Sequence, residues 1–375
     1  MSGDSQVDAL NPIVDDPDDE APPKITVTRR QALAFGLFVA SAVAFLYFVL
    51  PKLTGLSDTW QRLDGGDPTW LAAAGLLELI SFVGYIWLFR TVFLRGETKI
   101  GWKASYQITM AGVAATRLFA AAGAGGIALT AWALRRSGME RRTVACRMVA
   151  FNVLLYTVYL LAVMITGFGL YLGLFDGSAP FAITMIPASI AAGLFVIIYT
   201  TALVPQDVER RLAGWAEGQG RGRRIVTRIA AAPASLASGV RTAVQITRDR
   251  EVGLIGAILW WTGDIATLWA AFHAFGEHTP PIVVIILAYF VGMIGNLLPL
   301  PGGIGGVDGG MIGAFAALDV DFGLATVSVL TYRAFAFWLP TLPGAIAYLQ
   351  LRKTVAGWSA EHRRDKSQAS EPAPA

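Results

Sequence analysis

The chain has 375 residues, of which 54% are hydrophobic and only 15% charged, with a mean hydropathy of +0.53. A water-exposed surface cannot tolerate that composition, so a soluble enzyme is excluded. The net charge of +3 and pI near 9.0 then point to basic loops beside anionic lipid, not to nucleic acid.

In chain order, residues 1–24 are acidic and poor in large apolar side chains, and read as a disordered tail. The tail precedes Arg29, Arg30 and an apolar run at 31–51, so that run is expected to stay as an anchor and not to be cleaved. Further runs long enough to cross a hydrocarbon core of ~30 Å lie at 69–93, 148–173, 181–203, 252–275 and 322–350. Lys24, Arg29 and Arg30 put the N-terminus inside, and Arg95, Lys99 and Lys103 put the loop after the second run inside again.

The segment 104–134 runs from that inside loop to another, marked by Arg135, Arg136, Arg141 and Arg142. It must cross an even number of times, yet it is too short for two crossings and a turn. Thr116-Arg117 and the Ala122–Gly126 run interrupt it midway. Each half could reach the bilayer middle and return, so the segment reads as a re-entrant hairpin. Beyond it, the loops 174–180 and 276–280 lack Lys and Arg and read as outside, whereas 205–250 holds nine arginines against four acids.

That basic loop carries a loose apolar stripe (Ile225, Ile229, Leu236, Val240, Val244), as expected of an interfacial amphipathic helix, with a partner-docking surface as the competing reading. Residues 281–318 flank a Gly- and Pro-rich stretch, 296–310; a second hairpin and two full crossings satisfy the parity equally. From about Glu361 the chain is polar again and reads as disordered. The expected architecture is all-α and polytopic, with about six full spans plus two re-entrant or broken hairpins (up to eight spans). The membrane domain covers 25–350, and a basic, then disordered tail covers 351–375.

A shift of 186 residues aligns Glu78 with Asp264, Gly123 with Gly309, and Arg147 with Arg333. One shift that matches both an acid and an arginine inside apolar runs suggests an inverted repeat, with halves at about 31–173 and 181–350 and a site where broken helices meet.

The candidate site residues are charges in or at the edges of apolar runs, each costing about 2.5–3.5 kcal/mol at the centre of a membrane. Arg117, Arg147 and Arg333 are candidates for a lipid head-group phosphate, whose geometry a guanidinium fork matches. Glu78 and Asp264 would hold those arginines or exchange protons. Gly302, Gly303 and Gly305 would let an anion approach a helix start closely. Asp308 reads as an N-cap. Asn152, Asn296, Tyr332 and His273 read as interhelical hydrogen-bonders, and Trp60, Trp70, Trp87, Trp102, Trp260 and Trp261 mostly as interface anchors. A single cysteine, Cys146, excludes an intrachain disulfide framework. His273, His278 and His362 show no metal spacing, so no metal or other cofactor is expected. The Gly302–Gly310 string lacks the strand and helix context of a dinucleotide site.

The segment Asn296–Asp308, with Pro299-Leu-Pro301-Gly302-Gly303-Ile304-Gly305 at its centre and Arg333 in the run beyond, resembles the signature of the flippase-like family. That family is typified by the N-terminal membrane region of lysylphosphatidylglycerol synthases, or multiple peptide resistance factor. The resemblance spans most of 31–350. The family's earlier turn often reads Pro-x-Arg-x-Gly-Glu, and Thr116-Arg117-Leu118 here lacks its proline and glutamate. The resemblance implies movement of a charged-head-group lipid between leaflets of a bacterial plasma membrane, with both termini cytoplasmic. Aminoacyl transfer is not expected of so short a tail. The competing expectation is a scaffold that recruits an envelope-modifying enzyme through loop 205–250.

Overall fold

The computed structural model describes residues 65–95, 100–118, 124–203, 236–276, 278–297 and 303–369. The tail at 1–24 and the run at 31–51 lie outside them. Asp67 opens the first described helix, α1 (Pro68–Phe93), by accepting the Thr69 amide at 2.8 Å, and Pro68 supplies a first-turn residue that needs no hydrogen-bonded N–H. Two shorter helices follow, α2 (Trp102–Leu118) and α3 (Ala124–Arg136), then the long α4 (Arg141–Tyr171) and α5 (Phe181–Thr201). A helix α6 at 236–248 leads to α7 (Ile255–Phe275), and another pair of short helices, α8 (Ile282–Met293) and α9 (Gly306–Ala317), comes next. The last stretch joins α10 (Phe322–Arg333) through a π-helical segment, Ala334–Trp338, to α11 (Leu339–Ala369).

Among the described residues, five helical stretches are long and apolar enough to cross a membrane: Pro68–Phe93, Arg141–Tyr171, Phe181–Thr201, Val252–Phe275 and Phe322–Glu361. They match five of the six expected runs. Both short pairs fold back on themselves. The arms of α2 and α3 meet where a Cβ on Gly126 would stand 2.5 Å from the Gly112 carbonyl oxygen. The arms of α8 and α9 meet where Gly295 leaves no room against the Gly306 backbone, 2.3 Å from a built Cβ. α8 with its 3-10 extension to Leu297 and the 12-residue α9 are both shorter than the five spanning stretches, which favours a hairpin over two full crossings. Small residues permit these approaches, as they do between helices in lipid.

At the shift of 186 residues the element order repeats: α1, α2, α3 and α4 correspond to α7, α8, α9 and the α10–α11 stretch. α1 and α7 form the central pair. Gly84 and Gly256 bring their backbones together, and Ser81 donates to the Trp260 carbonyl at 2.8 Å. Each hairpin rests on the long helix of the other half. Gly344 of α11 fits over Met110 and Ala114 of α2, and Thr354 donates to Gln107 at 2.8 Å. In the counterpart contact, Tyr159 of α4 donates to the Phe290 carbonyl of α8 at 2.6 Å, ring against ring.

Several expectations need correction. The final helix does not give way to a disordered end at about Glu361 but continues to Ala369. Within the basic loop, α6 buries Ala237, Val240, Ala243 and Ile246, with Gly239 against Val149 of α4; this part docks on protein, and 204–235 lies outside the described residues. Trp261 is interior, donating to the Leu155 carbonyl at 2.8 Å. Trp70 meets Trp269 edge to face and lies tilted against the His273 ring. Asn152 and His273 bond to carbonyls of their own helices, and Asn296 to Met293. Of the four expected interhelical hydrogen-bonders, Tyr332 alone makes such a bond.

Candidate functional site

Glu78 lies near the middle of α1 and Asp264 near the middle of α7. The glycine-lined approach of these helices sets the two carboxyl groups side chain to side chain, 1% and 5% exposed. Thr267 donates to Glu78 Oε2 at 3.2 Å. Asp264 Oδ2 accepts from Tyr289 of the second hairpin and from Tyr332 of α10, the latter at 3.1 Å. The two carboxyls thus lie side by side, each accepting from neighbouring hydroxyls.

Arg117, in the last turn of α2, comes to this pair from the tip of the first hairpin. Its field acts on Glu78, Asp264, Arg333 and Tyr332 together. It donates to the Phe337 carbonyl at 2.9 Å, and its guanidinium lies 5.7 Å from the Phe82 ring centre and 5.6 Å from that of Phe337, within cation–π range. The π-helical segment supplies that acceptor. Pro340 and Pro343 have no N–H for the Ala336 and Leu339 carbonyls, so the helix widens here and its carbonyls turn to side-chain donors.

Arg333, one residue before the π segment, sits 5.0 Å over the same Phe337 ring and forms an ion pair with Asp308 at 2.6 Å. Asp308 also accepts the Gly305 amide at 2.8 Å. Asp308 is therefore the third residue of α9, closing on the Gly305 cap, and not the cap itself. Gly303 and Gly305 adopt φ of 67° and 83°, a region that favours glycine. Gly302 lies outside the described residues, as does Gly123.

The structure thus brings together Glu78, Asp264, Arg117 and Arg333, with Gly303 and Gly305 at the start of α9. It does not bring Arg147 to them. Arg147 donates to the Phe93 and Arg95 carbonyls, the latter at 2.6 Å, closing the end of α1. There it lines a cavity of about 420 Å³ with Arg95, Arg142, Thr143 and Gln245. Sequence reasoning missed Tyr289, Thr267 and the pairing of Asp308. Hydroxyls in apolar runs are too common to stand out, although the Asp308-to-Arg333 spacing could have been tested. Among the described residues no group of three His, Cys, Asp or Glu could hold a metal ion.

Long apolar helices, two folded-back pairs and a buried charged cluster between them define a polytopic helical membrane protein. Residues 32–344 match the family of the lysylphosphatidylglycerol synthase transmembrane region. The chain belongs to that family. It is also similar to proteins of Methanothermobacter thermautotrophicus described as UPF0104 membrane protein. One alignment is 24% identical and covers 83% of this chain and 93% of the relative; another, 33% identical, covers 30% and 35%.

Proposed function

We propose that the protein moves a lipid with a charged head group between membrane leaflets, holding the head at Arg117 and Arg333 while the acyl tails remain in lipid. The observation that carries this reading is the charged cluster at the seam of the two hairpins. Charges among apolar spans persist only where they pair or line a path for a polar passenger, and broken helices in a membrane protein belong beside a cavity. The repeated element order, read with the Lys and Arg of the loops, supports two halves of opposite orientation about a midplane site. On this reading the protein works in a bacterial plasma membrane with both ends cytoplasmic. On the same reading it acts as a carrier.

The test is leaflet exchange of head-labelled lipids in liposomes, comparing wild type with Arg117→Ala, Arg333→Ala and the double variant at matched folding. Loss of exchange in the double variant supports the reading. Undiminished exchange by a folded double variant overturns it.

A further inference from the structure

The ionisable groups at the hairpin seam do not balance as they stand. Among the described residues, three carboxyl groups (Glu78, Asp264, Asp308) face two guanidiniums (Arg117, Arg333). The ion pair with Arg333 uses Asp308, which leaves Arg117 for both Glu78 and Asp264. Those two touch each other in a site almost closed to water, where like charges repel strongly and desolvation of each is costly. The groups facing them from the neighbouring helices are hydroxyls: Thr267 on α7 itself, Tyr289 from α8 and Tyr332 from α10. α1 adds Tyr85 beside Arg117, and α4 adds Tyr156 and Tyr159 around Trp261. Phenols are neutral near pH 7, so none of them supplies a balancing charge. A single proton held between Glu78 and Asp264 makes the whole cluster neutral.

The same count fixes what happens when a passenger arrives. A phosphodiester head group carrying one net negative charge would take Arg117 or Arg333 as its partner and leave the cluster one charge short. A second proton on the Glu78–Asp264 pair restores neutrality. We propose that the protein carries anionic phospholipid together with one proton, with Glu78 and Asp264 as the proton site. This inference rests on the lipid-translocation reading. It adds a substrate class, a lipid of net single negative charge, and a coupling ion. The moving unit, one proton and one monoanionic lipid, is electrically neutral, so a pH difference drives it and a membrane potential does not.

The experiment uses the full chain in liposomes containing head-labelled phosphatidylglycerol, with a pH difference of one unit imposed across the membrane. One-to-one coupling predicts that the label comes to rest about tenfold enriched on the more alkaline side, and that a potassium-diffusion potential leaves the ratio unchanged. In the double variant Glu78→Gln with Asp264→Asn, which has no carboxyl left to take the proton, the exchange that remains should settle at equal leaflets. Label that equalises in the wild type despite the pH difference overturns the coupling while translocation stands. A ratio that follows the potential and ignores pH overturns it too. No exchange of this or a zwitterionic label by folded protein overturns the translocation reading and the coupling with it. A second measurement avoids variants. Wild-type protein in weakly buffered detergent should take up about one proton per molecule on binding short-chain phosphatidylglycerol, and none with phosphatidylcholine. Equal uptake with both, or none with either, counts against the proposal.

Discussion

Asp308 serves two partners at once, the Gly305 amide and the Arg333 guanidinium. Removing one member of a buried pair leaves the other charge uncompensated, at a cost of about 3–5 kcal/mol. Asp308→Ala should therefore destabilise the protein by about 3 kcal/mol, read as denaturant unfolding in detergent. The double variant Asp308→Asn with Arg333→Gln should recover part of that loss, and a double variant as unstable as the two singles summed would deny the coupling. Arg147→Ala should cost about 2 kcal/mol through the freed Phe93 and Arg95 carbonyls, while the folded fraction exchanges lipid at the wild-type rate. At this scale the sequence disclosed the charges, because an ionisable residue in an apolar run is costly enough to demand a reason. Their partners stayed hidden. Arg147 stands apart from the cluster because the shift of 186 residues matches positions, not surroundings: Arg333 meets a carboxylate, whereas its counterpart meets the end of a helix.

The two hairpins are held shut by glycines at their arm crossings, and this gives a graded test. A methyl group at Gly295 would stand 2.3 Å from Gly306 backbone atoms, whereas one at Gly309 meets nothing within 4 Å. Gly295→Ala should destabilise by about 1–3 kcal/mol through overpacking. Gly309→Ala, in the interior of α9, should stabilise by about 0.5–1 kcal/mol through reduced backbone freedom of the unfolded chain. Thermal unfolding of the two variants side by side checks the sign of each. Helix lengths and the first hairpin were legible from loop charges and parity. The second was not, because a Gly- and Pro-rich stretch satisfies a turn in either topology; the short arms favour the hairpin. The π segment was equally invisible, since two prolines three residues apart can kink, break or widen a helix, and only packing selects among these.

For the molecule as a whole, the competing scaffold reading puts function in loop 205–250. The part described here, α6, is docked on α4 through Gly239 and the Cys146–Thr242 contact at 3.2 Å. Deleting 205–235 and joining the ends with a flexible linker should leave leaflet exchange intact in liposomes. Loss of exchange by a folded deletion variant would move function to the loop. The family assignment was legible from one short motif, but the exchange of supports between halves was not, because contacts so distant in sequence leave no local pattern.

That exchange has a consequence for how the protein is made. The first hairpin emerges early, yet part of its support comes from the chain's last stretch: Arg117 reaches Phe337 across 220 residues, and Arg136 reaches Ser359 across 223. Until the ribosome has released the chain's last stretch, Arg117 lacks its carbonyl partner at Phe337, and lipid is a poor substitute. Synthesis therefore passes through a stage in which a half-built membrane protein must be sheltered or must keep its hairpin at the surface. A chain stopped after residue 321 should be cleared by membrane proteases faster than one lacking only 362–375, as pulse-chase labelling would register.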